Sequence, residues 1–211
     1  MRKLPILLLL FCTILLVNCK PKETRDDASD ITNAYTGTGR YLWQNPEMVL
    51  NLFGNLSKKT VADIGAGDGF FTLRLAEKAQ KVVAIDISEE AIAYIEKNIP
   101  PELKNKVETR LVSPSSPNLE DEEIDAVLLV NTYMYLDDRV AYLKKVNKGM
   151  PSSAKILIND FKKKRTSIGP DTDERIPLYR VEQELIQAGF RILHTDDTSL
   201  EYQYIVLAEK K

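Results

Sequence analysis

Residues 61–72 read VADIGAGDGFFT, and the rest of the chain is arranged around this stretch. Val61 to Ile64 reads as a short buried strand. Gly65, Gly67 and Gly69 alternate after it, so the backbone can turn sharply and come close to a ligand with no Cβ in the way. Phe70 to Thr72 opens a helix whose free N–H groups and positive dipole end face that ligand. The next strand, KVVAIDIS, carries Asp86 near its tip, 21 residues beyond Gly65. An acid at that place accepts hydrogen bonds from a ribose diol. The pattern predicts a nucleoside-containing cofactor at the carboxyl ends of parallel strands.

The dinucleotide fingerprint is G-x-G-x-x-G, and its last glycine lets helix and strand pack closely. Here that position is Phe70, and glycine stands one place earlier, at Gly69. An acid, Asp63, precedes the first glycine by two residues. A carboxylate there sits badly beside a pyrophosphate and well beside a cation or an amine. The stretch resembles motif I of the class I S-adenosylmethionine (SAM)-dependent methyltransferases, whose cofactor is a sulfonium with an α-amino group. The resemblance covers roughly residues 40–208. It implies SAM bound by Asp63, Ile64, Gly65, Ala66, Gly67, Asp86, Ile87, Ser113 and Asn131. Gly65 and Gly67 let the backbone approach, Asp63 serves the amino-acid end, Asp86 the ribose, and Ile87 packs on adenine. A Rossmann-like domain that keeps the turn and binds nothing is the alternative.

The N-terminus differs from the rest. Arg2 and Lys3 precede an apolar run of 14 residues, Leu4 to Val17, too short to span a bilayer comfortably and suited to a signal-peptide core. It ends in Leu16-Val17-Asn18-Cys19, which resembles a bacterial lipobox with Asn18 in the place of the usual small residue. The expected division is a lipoprotein signal peptide over 1–18, a lipidated polar tether over 19–30 beginning at Cys19, and a methyltransferase domain over 31–211. An uncleaved anchor and a non-lipidated secretory signal are the other readings. Cleavage removes Cys12 and lipidation uses Cys19, which leaves no thiol for a disulfide or a metal site. Loss of Arg2 and Lys3 leaves 27 basic residues against 31 acidic ones, a net charge of −4. No basic block is present, so a nucleic acid is an unsuitable electrostatic partner. Apolar residues make up 44% and charged residues 28% of the chain, ordinary for a globular domain.

In chain order, Asn45 reads as a helix cap with Pro46 at the first helical position, and Met48, Leu52 and Phe53 as its apolar face. Such a helix ahead of motif I partly covers the cofactor in the family, and Tyr41 and Trp43 either line that cover or pack it down. A helix over 69–79, a strand over 81–86 and a helix capped by Ser88 follow. A strand over 107–112 leads to Ser113, which stands where many members of the family carry an adenine-binding acid. Residues 124–130, IDAVLLV, are apolar throughout, as in a parallel strand covered on both faces. Asn131 to Tyr135 then line the pocket near the methyl group. Met134 and Tyr135 replace the histidines frequent there. Asp138 starts a helix closed by Gly149, and Asp160 ends the next strand as either a substrate-holding rim acid or a solvated strand end. Residues 161–177 form a long polar loop, either a substrate loop or a floppy one. Leu178, Val181, Leu185 and Ile186 mark the inner face of the last helix. Two β-rich runs around residues 196–199 close the sheet, and His194 lies in the first of them without ligand partners, so no metal site is expected.

The alternation of strands and helices predicts an α/β fold: a Rossmann-like, doubly wound, mostly parallel seven-stranded sheet closed by an antiparallel hairpin. The expected activity is methyl transfer from SAM to a small molecule, with no evident general base. An exported Rossmann-like binding module without catalysis is the alternative, favoured by Ser113 and by the difficulty of meeting a cytosolic cofactor outside the cell. A nicotinamide-linked oxidoreductase fits poorly, given Phe70 and Asp63.

Overall fold

The computed structural model describes residues 38–211. The signal peptide, the tether and Cys19 lie outside the described residues. Seven strands form one sheet: β1 Thr60–Ile64, β2 Lys81–Asp86, β3 Val107–Leu111, β4 Ala126–Val130, β5 Lys155–Phe161, β6 Phe190–Asp196 and β7 Gln203–Lys210. Their order is 3-2-1-4-5-7-6. β1 to β5 pair in parallel, and β7 pairs antiparallel with both β5 and β6. The order reverses between β1 and β4, which places the ligand crevice at the carboxyl ends of those strands.

Helices cover both faces because alternate residues of each central strand face opposite sides. Val61 and Leu128 join Val49, Leu50, Phe71 and Leu75 on one face. Ala62 and Leu129 join Leu143, Val146, Val181 and Leu185 on the other. The helices are α1 Thr38–Gln44, α2 Pro46–Asn51, α3 Phe70–Lys78, α4 Glu89–Asn98, α5 Arg139–Lys148 and α6 Leu178–Gln187. The expected caps are in place. Asn45, Ser88 and Asp138 accept from the backbone N–H groups of Met48, Ala91 and Ala141.

Four features differ from the sequence reading. α1 was not expected. β4 begins at Ala126 rather than at residue 124. α2 ends at Asn51, and within it Pro46, Val49 and Leu50 are the buried residues, with Met48 and Leu52 only partly covered. On α6, Ile186 is 51% exposed and Glu184 is buried in its place. Glu184 is drawn inward because the Tyr133 hydroxyl donates to it at 2.6 Å and Arg139 forks onto both its oxygens at 2.8 and 3.1 Å.

The loop after β5 is organised. Arg175, 2% exposed, donates to the carbonyls of Lys162, Lys164, Ile168 and Pro170 and to the Thr166 hydroxyl. One planar guanidinium with five donors ties together a segment that has no regular structure. Lys162 and Lys163 likewise donate to backbone carbonyls. The loop folds back on Phe161: a Cβ on Gly169 would lie 2.5 Å from that ring. Trp43 of α1 packs on the same ring, 5.8 Å between centroids.

Candidate functional site

The glycine turn is fastened to the end of β2. The N–H groups of Gly65 and Ala66 both donate to the Ile85 carbonyl, at 2.8 and 3.1 Å. Gly65, Gly67 and Gly69 have φ of +75°, +56° and +77°, the left-handed region that excludes most side chains. Their surroundings separate their roles. A Cβ on Gly65 would lie 2.2 Å from the Thr132 hydroxyl, so Gly65 is required for packing. A Cβ on Gly67 would meet only the Gly65 carbonyl oxygen, at 4.0 Å, so Gly67 faces open space. Gly69 caps α3.

Asp86 stands at the mouth of this turn. Gly67 N–H donates to its Oδ2 at 2.8 Å and Ser88 N–H to its Oδ1 at 2.9 Å. Two backbone donors orient the carboxylate, and each oxygen keeps a lone pair for a further donor. Ile87, next in the chain, is 60% exposed, and Ser113 is exposed two residues after β3. Ser113 shares a 3.4 Å hydroxyl contact with Ser115. An open glycine, a fixed acid and an exposed apolar side chain fit the ribose and adenine of a nucleoside cofactor.

Asp63 lies deeper, 3% exposed, and its Oδ2 accepts from the Thr72 hydroxyl at 2.7 Å. Burial raises its carboxyl to about 6, although the Thr72 bond and the Arg40 charge act in the opposite direction. Ile64 and Ala66 are buried, and they contribute backbone rather than side chain to the turn. Asn131 has a left-handed backbone, φ 55°, at the switch between β4 and the turn that follows. Its Oδ1 accepts from Gln203 at 2.6 Å. The buried atoms Nδ2 of Asn131, Oε1 of Gln203, Oδ1 of Asn159 and Oδ2 of Asp160 have no protein partner. These atoms belong to residues at the carboxyl ends of β4 and β5 and the start of β7, and buried polar atoms of this kind call for a ligand or water.

Two contributors, Arg40 and Gln203, were not read from the sequence. Arg40 of α1 reaches both oxygens of Asp68 inside the glycine turn, at 3.1 Å, and covers the Phe70 ring at 4.2 Å. Asp68 is visible in the motif, but nothing local marks Arg40, 28 positions away, as its partner. Gln203 reaches the site only through the sheet, donating to Asn131. Asp160, a substrate-holding rim acid or a solvated strand end on sequence, is 2% exposed, so it is not a solvated strand end. Trp43 packs the cover down, on Phe161 and Tyr202, whereas Tyr41 is 45% exposed. His194 is at the surface. Among the described residues no group of three or more His, Cys, Asp or Glu side chains could hold a metal ion, and no helix is long and apolar enough to cross a membrane.

The fold and this site together define a doubly wound α/β domain with a glycine turn and a fixed acid at its switch point. Residues 62–157 match the family model of the methyltransferase domain. The structure is similar to that of a SAM-dependent methyltransferase from Aquifex aeolicus, with a TM-score of 0.79 and 26% identity over 87% of this chain and 98% of that one. In sequence, 88 residues are 33% identical to the magnesium-protoporphyrin O-methyltransferase of Rhodobacter capsulatus, which is 42% of this chain and 38% of that protein. Another 98-residue match, 36% identical, covers 46% of this chain and 19% of phosphoethanolamine N-methyltransferase 3 of Arabidopsis thaliana. The chain thus spans well under half the length of the curated relatives it matches. The matched methyltransferase model and the Aquifex aeolicus structure both point to SAM as the cofactor.

Proposed function

We propose that the chain transfers a methyl group from SAM to a small-molecule acceptor. The observation that carries this reading is the carboxylate of Asp86, held by Gly67 N–H and Ser88 N–H at the mouth of a glycine turn whose central glycine faces open space. Asp86 binds the ribose diol, Ile87 covers the adenine with Ser113 beside it, and Asp63 with Thr72 serves the amino-acid end. When bound, SAM supplies a methyl group that is already electrophilic. The chain therefore has to orient an acceptor in line with it and keep water out. α1 and the loop after β5 meet over Phe161 and provide that cover.

We also propose that a lipid on Cys19 holds the domain at a bacterial membrane. Arg2 and Lys3, the apolar run and the Leu-Val-Asn-Cys ending support this. Mass spectrometry of the N-terminal peptide checks it: diacylglycerol on Cys19 is expected, and an unmodified Met1 with a free Cys19 thiol would refute it.

Calorimetric titration of the full chain in detergent with SAM, S-adenosylhomocysteine and NAD tests the activity class. Binding of the first two and not the third is expected. A folded chain that binds none of them would instead be a non-catalytic module.

A further inference from the structure

We propose that the methyl acceptor is an amine that arrives as an ammonium ion, received by Tyr135, Glu174 and the buried carboxyl of Asp160. This rests on the methyl-transfer reading above. The three groups come from different segments. Asp160 ends β5, Tyr135 belongs to the single helical turn Tyr133–Tyr135 after β4, and Glu174 belongs to the loop tied by Arg175. That turn begins one residue after Thr132, which packs on the glycine turn. The corner therefore lies next to the cofactor crevice.

Its chemistry suits a cation. Asp160 Oδ1 accepts from the Phe161 N–H at 2.7 Å, whereas buried Oδ2 closes no hydrogen bond even though the Tyr133 and Met134 amides face the carboxyl. An acceptor oxygen buried without a donor is costly, and a ligand N–H removes that cost. Glu174 is exposed and Tyr135 is 66% exposed, with its hydroxyl in the field of both Glu174 and Asp160. An open aromatic face in the field of two carboxyl groups attracts an ammonium and repels an acid. The groups that face Asp160 are the Tyr133 and Met134 amides, the hydroxyls of Tyr135 and Tyr204, and the Arg175 guanidinium. Arg175 is engaged by the carbonyls of its own loop.

The assignment also supplies a base. In its carboxylate form Asp160 takes a proton from the ammonium and exposes the nitrogen lone pair. That pair forms the N–C bond to the methyl carbon as the C–S bond breaks and its electrons return to sulfur. The product leaves as the methylated ammonium, and Asp160 returns its proton to water. Burial raises the Asp160 carboxyl to about 7, a range suited to such an exchange.

The test uses the full chain in detergent with tritium-labelled SAM and a panel of small amines, alcohols, carboxylic acids and thiols on matched carbon skeletons. Label is expected in the amines. Glu174→Gln and Tyr135→Ala should raise the KM for the best amine about tenfold, and Asp160→Asn should lower kcat and remove the ionisation near neutral pH from its profile. Calorimetry of S-adenosylhomocysteine checks that the variants fold and still bind at the cofactor side. Saturation-transfer NMR on the same chain reads amine binding without turnover, so it separates this proposal from the methyl-transfer reading. Label in alcohols, acids or thiols but not amines would overturn the proposal. So would the absence of an amine signal by NMR, or an amine signal unchanged in Glu174→Gln and Tyr135→Ala.

Discussion

Thr132 occupies the space that any side chain on Gly65 would need: a built Cβ falls 2.2 Å from its hydroxyl oxygen and 2.5 Å from its methyl carbon. The turn after β4 is thereby seated directly on the glycine turn. Gly65→Ala combines a left-handed backbone with this clash and should cost about 2–4 kcal/mol. It should also weaken SAM binding more than tenfold, because the turn must move. Adding Thr132→Ala should recover part of the loss, since neighbours that share a contact are non-additive. Chemical denaturation and calorimetry of the single and double variants check this.

Asp86→Ala removes a carboxylate oriented by two backbone donors. Loss of its hydrogen bonds to the ribose should weaken SAM binding by about 1–3 kcal/mol. Calorimetric titration of the variant checks it, and unchanged affinity in a folded protein would rule out the ribose role.

Asp63 and Asp160 give the protein a definite pH dependence. Burial raises them to about 6 and about 7, above the usual carboxylate value of 3.8. The native state therefore holds protons that the unfolded chain releases. Their contribution to stability is complete below about pH 4 and is lost as pH rises through 6 and 7. Glu108, Glu123 and Asp196 act in the opposite direction, since hydrogen bonds from Arg110, Lys81 and the Ser199 turn hold their carboxyls low. Their contribution is lost as pH falls through the acid range. Urea denaturation between pH 5 and 8 should show a decline in stability that is shallower in Asp160→Asn.

Glu184 should matter far more than the surface ion pairs. Its carboxylate takes the Tyr133 hydroxyl and the Arg139 fork, with side-chain exposure of 9% against 24% for Arg139. Glu184→Ala leaves both donors unmet and should cost about 2–4 kcal/mol. Asp121→Ala, from a pair with side chains 69% and 74% exposed, should change stability by less than about 0.5 kcal/mol. Thermal denaturation of the two variants makes the comparison.

Arg175→Lys keeps the charge and loses the fork. A lysine ammonium offers three donors from one point and cannot reach carbonyls spread over residues 162–170. The loop should open to limited proteolysis between Lys162 and Arg165 while the sheet remains intact. A protease time course on wild type and variant checks this.

The sequence was most legible where a structure is made from its own neighbours. The strand, turn and helix of residues 61–72, the caps Asn45, Ser88 and Asp138, and the closing antiparallel pair all rest on spacings of a few residues. Ile186 was misread because a helical pattern ranks residues by hydropathy and cannot see that Tyr133, 51 positions away, offers Glu184 a hydrogen bond. Asp160 was left between two roles because a strand end by itself does not say what will cover it.

By itself, then, the sequence determined the doubly wound sheet, the glycine turn after its first strand and the acid at the end of the next one. Backbone turns and strand alternation follow from sterics and periodicity within a short window. Only the tertiary structure decided that Thr132 sits on Gly65, that Arg40 clamps Asp68, that Arg175 gathers its loop and that Asp160 is buried with an oxygen unmet. Such relationships can join residues far apart in the chain, 28 positions between Arg40 and Asp68 and 72 between Asn131 and Gln203. They exist because the sheet returns the chain to one edge, where burial makes each polar group depend on whichever partner the fold has brought there.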